Sequence, residues 1–312
     1  MKKSFEELFE DIKNSPSPGL DKIYEKAKKE RKVINTILII INIFFFVILI
    51  IFSSSIFSFL FMLIPILMMD VIFYSIALAF FSKYGKMYKN AFKNSVIKKI
   101  LYNFYDNVTY MPFTSMPKYI YDEVKYNEYY NRYYSDDYME GKIDKQYFTK
   151  MAEVHTIDEE TTTDSDGNTT TTHTTRFHGI FAKINLEKSI NANFSIRRNH
   201  SFFGGKRLDM DSQEFEKIFD VSCSNKIIGM QLLTHDIMEL LVSFKNTTGI
   251  FFDISIYNNI LYLRFHTGAV FELKSLKKGA FDEDMLRKYY NIIDFTYTLS
   301  KMLIDLIDKT EI

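Results

Sequence analysis

Apolar residues crowd into two near-continuous runs early in the chain, Val33 to Phe52 and Ile56 to Phe81, separated only by Ser53, Ser54 and Ser55. The first run carries no charge, and at a helical rise of about 1.5 Å per residue it covers roughly 30 Å, the thickness of a bilayer core. The second is longer and holds one acid, Asp70, and one proline, Pro65. Backbone placed in hydrocarbon must bond to itself, so each run is expected to be a helix. Together they read as a transmembrane hairpin, with spans 33–52 and 56–81.

The flanks orient it. Lys22, Lys26, Lys28, Lys29, Arg31 and Lys32 precede the first run, and Lys83, Lys86, Lys89, Lys93, Lys98 and Lys99 follow the second. The serine turn has no charge. Cytoplasmic flanks carry the excess of Lys and Arg, which predicts an inner or plasma membrane protein, multi-pass, with both termini cytoplasmic. A signal peptide fits poorly, because about thirty polar residues precede the run and a second run follows at once.

Outside the hairpin the periodicity changes. Ser4 and Glu7 form a capping box before the stripe Phe5, Leu8, Phe9 and Ile12, so a short helix is expected at 4–13, free to lie on the membrane or dock on the soluble part. A helix from about Leu20 runs into the first span. Residues 83–105 read as a basic amphipathic stalk, with Tyr84, Tyr88, Ala91, Phe92, Ile97, Ile100, Leu101 and Phe104 on one face. A further helix is expected at 116–133. From Phe148 the pattern alternates, and an Asp-Gly turn at 164–168 predicts a hairpin of 148–163 with 169–186, tipped by a polar threonine tract. More strands are expected at 193–198, 217–223, 226–232, 250–257 and 260–266, the last pair joined at Asn258-Asn259. Thr234 is the N-cap of a helix ended by Gly249, and a final helix covers 281–308 with Leu286, Tyr290, Ile293, Tyr297, Met302 and Leu306 inward.

The predicted fold class is therefore α+β: a two-helix transmembrane hairpin, then a cytoplasmic mixed domain of antiparallel strands with a C-terminal helix. The expected division is 1–32 cytoplasmic helices, 33–82 hairpin, 83–105 stalk and 106–312 domain.

Composition narrows the chemistry. Lys plus Arg and Asp plus Glu are equal at 39 each, so no global charge argues for nucleic acid. The local lysines differ, because basic residues beside a bilayer attract anionic headgroups, and Lys83, Lys86, Lys89 and Lys93 are the candidate contacts. A single cysteine, Cys223, allows no internal disulfide and no cysteine-ligated metal site, and its neighbours read as a strand that buries it. Of six histidines, none makes a His-x-x-x-His or Glu-x-x-His pair. His155 with His173, or His178 with Glu153, would meet across the long hairpin. Gly204-Gly205-Lys206-Arg207 lacks the spacing of a phosphate loop, and Asp209, Asp211, Glu214 and Glu216 surround a helix start, where carboxylates favour the dipole. No cofactor, metal or catalytic signature emerges.

The polar candidates lie in the membrane. Asp70 sits near the middle of its span, where a charge costs about 2.5–3.5 kcal/mol, and Asn42 lies at similar depth in the other. Protonated Asp70 bonded to Asn42 or to a second copy would glue helices together; a proton- or ion-sensing role is the alternative.

Several stretches carry a resemblance: Tyr134-Ser-Asp-Asp-Tyr-Met-Glu-Gly-Lys-Ile143, Ala152-Glu-Val154, Phe177-His-Gly-Ile-Phe181, Leu208-Asp-Met-Asp211, Glu214-Phe-Glu216, Phe219-Asp-Val-Ser222, Leu232-Leu-Thr234 and the strand pair Phe251 to Phe265. In this order they are similar to a bacterial family of uncharacterised proteins, DUF3137, over residues 96–275. The resemblance implies a membrane-tethered cytoplasmic domain and carries over no catalytic residue. His235 stands where the family has a proline, a substitution that the first helical position tolerates. The expected function is a non-enzymatic binding or scaffold module, whose partner is a protein, a lipid headgroup or a second copy. The alternative is a membrane-associated hydrolase acting on a lipid or envelope component.

Overall fold

The computed structural model describes residues 2–14, 19–52, 68, 71–72, 75, 83–124, 128–199, 207–272 and 282–309. These fall into two compact units, one made mainly by Phe9–Val96 and the other by Met1–Leu8, Ile97–Glu272 and Glu283–Ile312.

In the first unit, α2 (Leu20–Phe52) runs unbroken from its charged start into the apolar run, as the sequence predicts. It is the only described helix long and apolar enough to cross a membrane. Many of the apolar side chains of its second half face outward: Ile40 is 60 % exposed, Phe44 61 % and Ile51 68 %. The following α3 (Lys83–Phe92) returns beside the start of α2, where the Tyr84 amide donates to Glu30 Oε2 at 3.2 Å and the Tyr24 and Tyr88 rings lie 5.2 Å apart. A π-helical turn, Lys93–Ile97, ends this stretch. Most of the second apolar run, with Pro65 and Asp70, lies outside the described residues.

The second unit is an α+β domain. Helix α4 (Lys98–Phe104) leads into β1 (Asp106–Met111), and α5 (Lys118–Asp122) precedes β2 (Arg132–Ile143). The long hairpin follows as β3 (Tyr147–Thr163) and β4 (Thr169–Asn185), then β5 (Phe194–Arg198), α6 (Gln213–Ile218), β6 (Phe219–Cys223) and α7 (Lys226–Leu232). The chain ends with α8 (His235–Thr248), β7 (Phe252–Tyr257), β8 (Ile260–Phe265) and α9 (Glu283–Lys309). The described strands form one eight-stranded antiparallel sheet, ordered β1-β2-β3-β4-β8-β7-β5-β6.

Each face of the sheet buries a different cover. On one, Tyr121 of α5 packs on Phe177 and Phe181 of β4, with Ala152, Val154 and Tyr262 around it. On the other, Phe295 of α9 stacks on Phe244 of α8 at 3.6 Å and meets Phe252 and Phe265 from the sheet. Gly179 in β4 is required by close approach, since a Cβ there would stand 1.8 Å from the Phe265 carbonyl oxygen.

The capping box forms: the Ser4 amide donates to Glu7 and the Glu7 amide to Ser4 Oγ. It opens α1 (Phe5–Asn14), whose first residues dock on the domain. Phe5 meets the Tyr290 ring edge-on, Glu6 pairs with Arg287 at 2.9 Å, and Asn103 exchanges two hydrogen bonds with the Lys3 backbone. Thr234 caps α8 through the Ile237 amide, and Gly249 ends it in the left-handed conformation.

Other expectations need correction. The helix expected at 116–133 is only α5; tyrosines 133, 134 and 138 belong to β2, where aromatic side chains fit a half-buried pleated surface. Residues 226–232 form a helix, because the Asn225 side chain accepts from the Ile227 and Ile228 amides, and the burial of Ile228, Gly229 and Leu232 follows a helical period. The strand expected at 217–223 begins only at Phe219, since Ser212 caps α6. Cys223 is half-buried rather than buried. In α9 the inward stripe drifts: beyond Ile293 the buried positions are Phe295, Thr296, Leu299, Ser300, Leu303, Ile304 and Ile307, not Met302 and Leu306.

Candidate functional site

Two polar clusters interrupt the apolar cover, one on each face. The β7–β8 hairpin places Asp253 directly opposite Arg264, five positions either side of the Asn258-Asn259 turn. Arg264 is 3 % exposed, a costly position for a charge unless it is fully bonded. Its Nε and Nη2 each reach Asp253 Oδ2 at 2.7 Å, and its two terminal nitrogens hold both Glu128 carboxylate oxygens at 2.7 and 2.8 Å. The guanidinium lies 5.0 Å from the Phe177 ring centre, and His266 Nε2 sits 3.0 Å from Asp253 Oδ2. Burial pushes the Asp253 carboxyl up, but the charges and hydrogen bonds of Arg264 and His266 outweigh it and hold it below the usual carboxylate range. Every guanidinium nitrogen is spent within the protein, so this cluster ties Glu128, in the segment before β2, to the centre of the sheet. Periodicity and motif spacing do not single out this cluster, although opposite charges equidistant from an Asn-Asn turn are a readable signal.

On the other face, the β3–β4 register sets His155 against His178, not against His173, which pairs with Glu159. The two imidazoles stack at 4.1 Å between centroids and 14° between planes. The expected pairing of His178 with Glu153 does form, at 3.4 Å. Glu153 is 7 % exposed, and its other oxygen accepts from the Val270 amide at 2.8 Å. A bulge in β2, with Asp137 at φ 54°, turns Asp136 and Asp137 toward the same spot, so oxygens of both and of Glu153 come within 4.8 Å of one another. Asp137 also accepts from the Tyr110 hydroxyl, whose pKa is pushed far up by burial and then by that carboxylate. Burial lowers both imidazole pKa values; the charge of His178 adds to the effect on His155, and Asp136 opposes it on His178.

The membrane-side candidates come out unevenly. Asn42 Nδ2 donates to the Leu38 carbonyl at 3.0 Å, so its amide is satisfied within its own helix. Asp70 lies outside the described residues, and no Asn42–Asp70 contact can be assigned. Lys83 and Lys86 are exposed and Lys89 is half-buried. Lys93 is wholly buried, which removes it from the headgroup contacts, and it is the first residue of the π-helical turn. His200 and Gly204-Gly205-Lys206 lie outside the described residues, while Arg207 pairs with Asp220 at 3.0 Å. Glu216 accepts from the Met210 amide, a capping role in keeping with the dipole reading. An open groove of about 330 Å³ between α6 and α8 is lined by Glu214, His235, Glu239 and Asn246 among others.

The architecture is that of a sheet-and-helix domain joined to an apolar helix with an outward-facing surface. Residues 175–304 match the family model described as "Protein of unknown function (DUF3137)". The match runs from β4 into α9, later at both ends than the 96–275 of the resemblance. It takes in His178, Asp253, Arg264 and His266, and leaves out β1 to β3. No curated protein and no solved structure matches the chain.

Proposed function

We propose that the chain is a membrane-anchored cytoplasmic binding or scaffold module, held by two spans and engaging a protein or anionic lipid headgroups. The observation that carries this reading is the outward apolar surface of α2. Ile39, Ile40, Ile43, Phe44, Ile50 and Ile51 are all more than half exposed, and water would not tolerate them side by side along one helix.

The return of the chain supports a second span. From Glu30 to Phe52, α2 rises roughly 33 Å, yet by Tyr84 the backbone bonds to Glu30 again. In the stretch between, Ser75 Oγ donates to the Val71 carbonyl, as in a helix, and Met68, Val71 and Ile72 are exposed. Both ends of the hairpin then share the basic, cytoplasmic side, where Lys22, Lys26, Lys28, Lys29, Arg31 and Lys32 join Lys83 and Lys86 in exposing cations to anionic headgroups.

Two measurements test this. Protease accessibility of tags at the two termini, in sealed right-side-out vesicles, is expected to leave both protected; a cleaved tag overturns the topology. Native mass spectrometry of the chain in gentle detergent is expected to retain a stoichiometric protein or anionic lipid. A bare monomer overturns the binding-module reading.

A further inference from the structure

The stacked histidines occupy a place where one proton changes several bonds. Face-to-face imidazoles at 4.1 Å repel strongly once both are charged, so the pair accommodates no proton or one, and not two. The surroundings decide which ring takes it. His155 faces Tyr134 at 6.2 Å and the Thr175 hydroxyl at 3.4 Å, neither of them a charge. His178 faces Glu153 at 3.4 Å, with Asp136 and Asp137 behind it on β2. Around these stand Tyr110 on β1, bonded to Asp137, and Glu272 beyond the β8 end, close enough to Tyr110 to influence it. The described titratable neighbours are thus three carboxylates at the cluster, one further carboxylate and two phenols.

Glu153 extends the effect. One of its oxygens meets His178, and the other holds the Val270 amide in the segment that leaves β8. That segment is anchored a second time where the Gly268 amide donates to the His178 carbonyl. Both anchors lead to His178, one through Glu153 to its imidazole and the other to its backbone carbonyl, and Val270 and Phe271 are buried.

We propose that His155 and His178 form a one-proton switch, in which protonation of His178 against Glu153 is transmitted to the Val270 segment through the shared carboxylate. This goes beyond the anchor reading and does not depend on it. Burial lowers both pKa values, so the neutral pair is favoured near neutrality, and the proton enters only as pH falls below the ordinary histidine value of about 6.5.

The test is NMR titration of the full chain in detergent micelles, labelled at the histidine rings and at valine amides, between about pH 4.5 and 8. One imidazole of the pair is expected to titrate below about 6.5, with the other staying neutral until lower pH, and the Val270 amide following the first midpoint. In His178→Gln the His155 midpoint is expected to rise by at least about half a pH unit, since the charge of His178 that holds it down is gone. In Glu153→Gln the Val270 amide is expected to lose its pH response. Two independent titrations near 6.5, or a Val270 amide indifferent to pH in the natural chain, overturn the proposal. Either outcome is read on the natural sequence, so a variant that misfolds does not shelter it.

Discussion

Helices α2 and α9 are of similar length, 33 and 27 residues, and both are rich in large apolar residues, yet they solve opposite problems. In α9 most of the large side chains, among them Leu286, Tyr290, Ile293, Phe295, Leu299, Leu303 and Ile307, lie on one drifting face, and its acids and lysines lie off that face. That face is buried on the sheet. In α2 beyond Val33 the apolar residues wrap the whole helix, and most of them, apart from buried Ile34 and half-buried Leu38, Ile41, Phe45 and Ile48, face outward. What separates a core helix from a span is therefore the angular distribution of the apolar residues, because a soluble helix must keep one side polar and a span must not.

The comparison can be broken at Phe295, which sits among Phe244, Phe252 and Phe265. Phe295→Ala is expected to cost about 3–5 kcal/mol in thermal or denaturant unfolding of the domain, with membrane retention unchanged. A loss below about 1 kcal/mol would show that α9 is not the cover described. The converse is Ile40→Arg in α2, expected to leave domain unfolding unchanged and to cost about 2.5–3.5 kcal/mol of insertion, read as chain released from carbonate-washed membranes. A third probe is acid. The carboxyl of Asp253 has a folded pKa below its ordinary 3.8, so its contribution is complete above that value and fades as pH falls through the folded pKa. Asp253→Asn is expected to flatten the acid limb of the stability profile in that window; an unchanged limb means Arg264 gains nothing from the pair. The smallest effect is expected from Thr234→Ala, about 1 kcal/mol, which removes the cap on the Ile237 amide at the start of α8 and touches no span.

The elements legible in the sequence are those fixed by local chemistry. The capping box Ser4–Glu7, the Thr234 cap, the Gly249 stop and the Asp-Gly turn satisfy their own backbone groups within a few residues, whatever lies beyond. The misread stretches are those where a neighbour decides. Tyr133 becomes strand because β3 offers it a ladder, and Tyr138 because β1 does. Ile227 and Ile228, β-formers by propensity, become helix because Asn225 caps them where β6 has ended.

By itself the sequence determined the apolar helix, its basic flank, the α+β class and the long hairpin, since periodicity and end-signals act over short range. Only the tertiary structure decided that His155 meets His178, that Arg264 is buried between Asp253 and Glu128, and that Lys93 is hidden. The first two outcomes rest on register and bulges, where a one-residue slip moves a side chain to the opposite face.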